Sequence, residues 1–134
     1  VGITRGGLIA ATMLSHYFNV PMVALDVSLR DSEMGPETNC WLPEDAGKGK
    51  RTLIVDDIND TGATINWIHQ DWNSSVSTTP LAWGDTIRIA TIFDNLASDS
   101  NLVVTYAAEE IDKSTNDVWL VFPYENWWEH GSTL

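Results

Sequence analysis

Cysteine is nearly absent from the sequence. Cys40 is the single one, which excludes an internal disulfide or a cysteine metal cluster and fits a reducing cytoplasm. Basic residues are scarce as well. Seven Lys and Arg stand against nineteen Asp and Glu, a net charge of −12, so neither nucleic acid nor an anionic membrane is an expected partner, since each needs a basic patch. No apolar run is long enough to span a bilayer, and no basic segment followed by an apolar stretch marks a secretion signal. The histidines, His16, His69 and His130, lack metal-ligand spacing. What is present is apolar bulk: 43% of 134 residues, with seven Trp, the expectation for one globular domain with one core.

The most informative stretch is residues 53–65, LIVDDINDTGATI. Leu53, Ile54 and Val55 form a short continuous apolar run, as in a strand covered on both faces of a parallel sheet. Asp56 and Asp57 follow at its carboxyl end, where open α/β sheets bind ligands. Asp60, Thr61, Gly62, Ala63 and Thr64 then supply hydroxyls, a flexible glycine and backbone N–H groups at the start of a helix, which makes an anion cradle without a cationic side chain. Two other readings suit the same residues. One is a solvated turn with an Asp or Thr helix cap. The other is a magnesium-dependent phosphoacceptor site, which would also require an acceptor Asp on a later strand, an arrangement that cannot be traced in the chain.

Along the rest of the chain, Val1 and Ile3 predict a strand running into the loop Arg5-Gly6-Gly7. Residues 8–18 predict a helix with Ile9, Met13 and Tyr17 at four-residue spacing, and residues 22–29 predict a strand. Residues 30–50 have no sustained periodicity and contain two Pro and three Gly after Arg30, the pattern of a long functional loop. Residues 63–72 predict a helix burying Ile65, Ile68 and Trp72, and residues 73–85 a polar surface connection. Strands are expected at 86–93, 102–107 and 117–122. The tail carries Trp127 and Trp128, suited to a core edge or a dimer interface. Alternating strands and helices predict an α/β fold with a mainly parallel central sheet flanked by helices. Five of the seven bases, Arg5, Arg30, Lys48, Lys50 and Arg51, precede the acidic pair and are expected around a ligand.

The segment LIVDDINDTGATI resembles the phosphoribosyl diphosphate (PRPP) motif of type I phosphoribosyltransferases, and the resemblance extends from TRGG at residues 4–7 to WLVFP at residues 119–123. It implies the phosphoribosyltransferase fold with a flexible hood after Ser28-Leu29. It also implies that Asp56 and Asp57 meet the ribose hydroxyls directly or through Mg2+, and that residues 61–64 hold the 5-phosphate. Thr4, Arg5, Gly6 and Gly7 would grip pyrophosphate around a non-proline cis peptide, with Arg30 as a second contact. Asp60 would face the ring nitrogen of the base as the catalytic acid-base group.

DVWLVFP resembles the base-binding segment of the xanthine-guanine and hypoxanthine-guanine branch. It implies stacking on Trp119, main-chain groups at Leu120 and a small carboxyl-terminal base-recognition region. Oxopurine members carry a Lys after the strand matching TIF. This chain has Asp94 and Asn95 there, making Asn95 a candidate base contact or a strand cap. The family usually has helix and strand material before the pyrophosphate loop, so residues 1–134 are expected to be one domain without its amino-terminal element. The expected activity is transfer of phosphoribose from PRPP to a purine, in a cytoplasmic homodimer or higher oligomer. A non-catalytic PRPP-binding regulator is the alternative, and a phosphate-binding structural module would need neither acid.

Overall fold

A computed structural model describes residues 1–27, 41–76 and 80–130. Nine elements follow in order: β1 (Gly2–Thr4), α1 (Leu8–Phe18), β2 (Ala24–Asp26), α2 (Trp41–Gly47), β3 (Thr52–Asn59), α3 (Ala63–Ser75), β4 (Ile87–Asn95), β5 (Tyr106–Ile111) and α4 (Trp127–His130). All strand pairs are parallel, in the order β2-β1-β3-β4-β5. The register sets Gly2 beside both Ala24 and Val55, and Asp56 beside Thr91.

The apolar run in β3 is explained by its two neighbours. Ile54 packs with Ile65, Ile68, Trp72, Ile87 and Ile89 on the face covered by α2 and α3, while Val55 packs with Ala11 and Ala90 on the face covered by α1. A strand buried on both faces has no polar alternation. In α3 the spacing of Ile65, Ile68 and Trp72 directs one buried stripe inward as expected, and truncating Trp72 to Ala would cost roughly 3–5 kcal/mol.

Helix α1 has the expected bounds but the opposite orientation. Ile9, Met13 and Tyr17 face solvent, Tyr17 being 82% exposed, and Ala10, Ala11 and Leu14 pack on the sheet instead. The cause is distance: a Cβ on Gly2 would stand 2.8 Å from Ala11 Cβ, so the helix lies too near the sheet for large side chains. The segment 30–50 is also corrected in its second half, where Trp41–Gly47 is helical and buries Leu42, Pro43 and Ala46. Pro43 is tolerated because the first turn of a helix has no internal partner for its N–H. Ser28, Leu29, Arg30 and Cys40, with the expected hood contacts, lie outside the described residues.

Three further expectations shift. Strand β2 is shorter than residues 22–29, at Ala24–Asp26. The strand expected at 102–107 lies at Tyr106–Ile111, because β4 pairs with it from Ala90↔Tyr106 to Asn95↔Ile111, while Leu102 and Val104 pack on the core without strand geometry. Residues 117–122 form no strand; only Phe122 is buried there, against Phe93. In these two segments apolar content foretold neither strand geometry nor general burial, since Val103, Trp119 and Val121 are exposed. The connection after α3 is likewise not wholly a surface loop, since Leu81 and Trp83 pack on the core and Trp83 Nε1 donates to Asn73 Oδ1 at 3.0 Å.

Candidate active site

Strand order reverses at β1 and β3. From β1 the chain runs through α1 to β2 on one side, and from β3 through α3 to β4 on the other, with the two helices on opposite faces. The loops leaving the carboxyl tips of β1 and β3 therefore diverge and open a crevice, the usual ligand position in such sheets. Across it the two predicted motifs touch. A Cβ on Gly6 would collide with the Asp57 carboxylate, and one on Gly7 would collide with Val55 O and lie 2.8 Å from Ile3 O. Only glycine allows the β1 loop to approach the acids this closely. The Thr4–Arg5 peptide bond is cis, Thr4 Oγ1 donates to Asp26 Oδ1 at 3.0 Å, and the Arg5 side chain is exposed.

Asp56 and Asp57 lie within β3 at its carboxyl half. The Asp57 N–H donates to Asp56 Oδ1 at 2.9 Å, and the Ile58 N–H donates to Asp57 Oδ1 at 2.8 Å. Burial, and then the neighbouring Asp57 charge, push the Asp56 carboxyl up from 3.8 to about 8. Among the described residues neither acid is in an ion pair. Two crowded carboxylates without a basic partner are a donor set suited to a divalent cation. No group of three or more His, Cys, Asp or Glu among the described residues could hold a metal ion. Asp56 and Asp57 alone would leave most of the oxygen shell of such a cation to other ligands.

The turn after β3 is built around Gly62, which has φ 91° and ψ −4° at the amino end of α3. A Cβ there would meet Ser100 N at 2.5 Å as well as adopting a left-handed conformation. The opposing loop is tied down: the Asp99 N–H donates to Thr61 O at 3.0 Å, Asn66 Nδ2 donates to Asp99 O, and the Asn101 N–H donates to Asn66 Oδ1. Thr61 Oγ1 accepts from the Ala63 N–H at 3.2 Å. No acidic residue lies in the first turn of α3, so the positive end of the helix dipole is left for an anion.

Asp60 and Asn95 meet at the carboxyl edge of the sheet. Asn95 is buried, its Nδ2 donates to Asp60 O at 2.9 Å, and its Oδ1 accepts from the N–H groups of Ala97 and Lys113 at 3.1 and 3.0 Å. The side-chain amide thus brackets three backbone segments. Asp60 Oδ1 is paired with Lys113 Nζ at 2.9 Å, and that ammonium lies 5.5 Å from the ring centroid of Trp119. Trp119 is 75% exposed, so its indole is accessible beside Lys113. Leu120 is half-buried next to it.

Lys113 and Tyr124 were not anticipated from sequence. Lys113 stands two positions past the end of β5, so a correctly placed strand would have put it at a carboxyl tip. Tyr124 Oη donates to Gly6 O at 3.2 Å, its ring stacks on Phe122, and burial followed by the charge of Asp57 raises its phenol to about 12. Nothing local signals a contact between residues so far apart in the chain. The bases Lys48, Lys50 and Arg51, expected around the ligand, precede the amino end of β3 instead. That end is roughly 13–17 Å from the acids at about 3.3 Å per residue, and Lys50 pairs with Asp45.

A family model described as the phosphoribosyl transferase domain matches residues 1–121. The chain belongs to the phosphoribosyltransferase family. Within it, xanthine-guanine phosphoribosyltransferase of Cereibacter sphaeroides is 30% identical over 130 residues, covering 93% of this chain and 67% of that protein. The purine phosphoribosyltransferase structure from Pyrococcus horikoshii Ot3 is 26% identical with a TM-score of 0.62, over 93% of this chain and 74% of that one. The xanthine-guanine-hypoxanthine phosphoribosyltransferase of Helicobacter pylori shares the fold at a TM-score of 0.65 and 13% identity, covering 98% and 78%. This phosphoribosyltransferase is accordingly of type I, with the five-stranded parallel sheet of that fold, and its relatives lie in the oxopurine branch. Among the described residues, no helix is long and apolar enough to cross a membrane.

Proposed function

We propose that this phosphoribosyltransferase transfers the phosphoribosyl group of PRPP to a purine base in nucleotide salvage, giving a nucleoside 5′-monophosphate and pyrophosphate. The observation that carries this reading is the contact of the β1 loop with the acidic pair: Gly6 and Gly7 lie directly on Asp57 and on the β3 backbone beside Asp56. A ligand with anionic groups at both ends of a ribose suits such a crevice. The amino end of α3, with Thr61, Gly62, Ala63 and Thr64, takes the 5-phosphate. Asp56 and Asp57 accept from the ribose hydroxyls, and Thr4, Arg5, Gly6 and Gly7 receive pyrophosphate.

Bound with PRPP, Mg2+ would be held by Asp56 and Asp57 and would neutralise the charge on the leaving pyrophosphate. Asp60 serves as the acid-base group. The base nitrogen forms a bond to the anomeric carbon as the bond to pyrophosphate oxygen breaks, and the nitrogen's proton passes to the Asp60 carboxylate. The base lies on Trp119, with main-chain groups at Leu120 along its edge. A PRPP-sensing regulator would need the phosphate cradle but no carboxylate held beside an aromatic face. A cytoplasmic homodimer or higher oligomer belongs to the same proposal, supported by the exposed apolar face of α1 and by exposed Trp127 and Trp128.

The test is pyrophosphate release from PRPP and Mg2+ with a panel of purine and pyrimidine bases. Turnover with purines is expected. Asp60→Asn should lower kcat by roughly 100- to 10,000-fold, the usual share of one acid-base group, with PRPP affinity unchanged. PRPP binding without turnover of any base would leave only the regulator.

A further inference from the structure

Ionised pyrophosphate presents acceptor oxygens, so a loop that receives it must turn N–H groups inward and its own carbonyl oxygens away. The loop after β1 does this in two ways. The carbonyls of Ile3, Arg5 and Gly7 are engaged by backbone, accepting from the N–H groups of Gly7, Leu8 and Ala11 at 2.8, 3.2 and 3.0 Å. Those bonds are local and come with the turn and the start of α1. The Gly6 carbonyl is held differently. It accepts from Tyr124 Oη at 3.2 Å, a side chain 118 residues further along the chain.

Together these bonds fix one peptide plane. In the Gly6-Gly7 unit the Gly7 N–H donates to Ile3 O while Tyr124 holds the Gly6 oxygen, so the rigid plane is tied at both ends. Gly6 also rests on the Asp57 carboxylate, too close to admit a Cβ. Tyr124 is itself anchored. Its ring stacks on Phe122 with centroids 5.5 Å apart and planes 11° from parallel, and buried Phe122 meets Phe93 of β4 at 5.8 Å. Burial, then the charge of Asp57, raises the phenol to about 12, so the hydroxyl keeps its proton through neutral and mildly alkaline pH.

We propose that Tyr124 is a positioning residue of the pyrophosphate site: its hydroxyl turns the Gly6 carbonyl out of the crevice and fixes the loop on which pyrophosphate rests. The assignment rests on the phosphoribosyl-transfer reading and adds to it a residue that acts through the Gly6-Gly7 peptide. Without the hydroxyl that peptide is tied at one end only. Its oxygen can then swing a partial negative charge toward Asp57 and the leaving group. Trp119 lies five positions before Tyr124, so the segment that offers the base an aromatic face also sets the loop for the leaving group.

The test compares the full chain with Tyr124→Phe, which removes the hydroxyl and keeps the ring on Phe122. Calorimetry in Mg2+ measures affinity for pyrophosphate and for guanosine 5′-monophosphate, which carries a ribose and a 5-phosphate but no pyrophosphate. Kinetics with guanine gives kcat/KM for PRPP and KM for the base. Loss of one neutral hydrogen bond should weaken pyrophosphate binding by about 3- to 10-fold and lower kcat/KM for PRPP by a similar factor. Nucleotide affinity and KM for the base should stay within about twofold, below what one such bond contributes. Unchanged pyrophosphate affinity, or an equal loss for pyrophosphate and nucleotide, would mean that Tyr124 only packs and would overturn the assignment. Absence of turnover in the unaltered chain with every base would overturn the transfer reading alone, because the affinity comparison needs only binding. Failure of the unaltered chain to bind pyrophosphate would overturn both.

Discussion

Replacing Asp56 by Asn should make the unliganded protein more stable and the liganded protein less so, and the size of the first effect should depend on pH. In the folded chain the Asp56 carboxyl is raised from 3.8 to about 8 by burial and by Asp57. A raised acid binds its proton more tightly when folded than when unfolded. Between about pH 4 and pH 8 the folded state therefore carries more protons, unfolding releases them, and stability falls as pH rises through that window. The contribution is fully favourable below the window, and the penalty reaches its limit above it. At about 1.4 kcal/mol per pH unit the bound is roughly 6 kcal/mol. Water penetration and proton sharing with Asp57 lower it to an expected 2 kcal/mol or so, as effective interior dielectrics near 20 require.

The Asn variant keeps the oxygen that accepts the Asp57 N–H and removes only the charge. Its melting temperature should exceed that of the unaltered chain by about 5–10 °C at pH 8.5, on the usual scale for a domain of this size, and by little at pH 4.5. Saturating PRPP with Mg2+ should invert the order. Ligand at 100 times its Kd adds about 2.7 kcal/mol to a protein that binds it, and the variant should forgo most of this. Calorimetric melts at both pH values, with and without PRPP and Mg2+, check all of these points. An equal gain at both pH values would refute the buried-charge argument, and equal stabilisation of both proteins by ligand would remove Asp56 from the PRPP site.

Gly62→Ala should cost about 3 kcal/mol by adding backbone strain to a collision with the Ser100 backbone. Gly84→Ala, at φ 82° with nothing within 4 Å of its Cβ, should cost only the strain, about 1 kcal/mol; similar losses in denaturant melts would show that the loop over Gly62 gives way. Asn95→Ala should cost about 3 kcal/mol, since it strands three backbone partners in a buried position. Asn95→Lys should destabilise likewise and leave the ranking of bases unchanged, whereas a shift toward oxopurines would return position 95 to the pocket.

The local structure around the acidic pair and the turn into α3 was legible in the sequence because it depends on neighbours in the chain. Leu53, Ile54 and Val55 run directly into Asp56 and Asp57, and Gly62 opens α3 within a few residues, so periodicity and turn chemistry carry the information. The family resemblance, resting on the same contiguous residues, extended this to fold and reaction class. Helix α3 was readable for a similar reason, since one stripe of Ile65, Ile68 and Trp72 has a single way to be buried.

Tertiary structure decided whatever depended on partners distant in sequence. The bulk of Ile9, Met13 and Tyr17 suggested the buried face of α1, but the closeness of Gly2 to Ala11 selected the small face instead. Leu102 and Val104 suggested a strand, but the hydrogen-bonding edge of β4 captured residues 106–111. Local sequence likewise offered Asn95 as a strand cap or a base contact; its three backbone partners, one of them 35 residues away at Asp60, came only with the fold. The same folding step brings Lys113 to Asp60 and Tyr124 to Gly6. A sequence pattern specifies what a residue can do, and the parallel sheet, by aligning the tips of strands far apart in the chain, specifies with whom it does it.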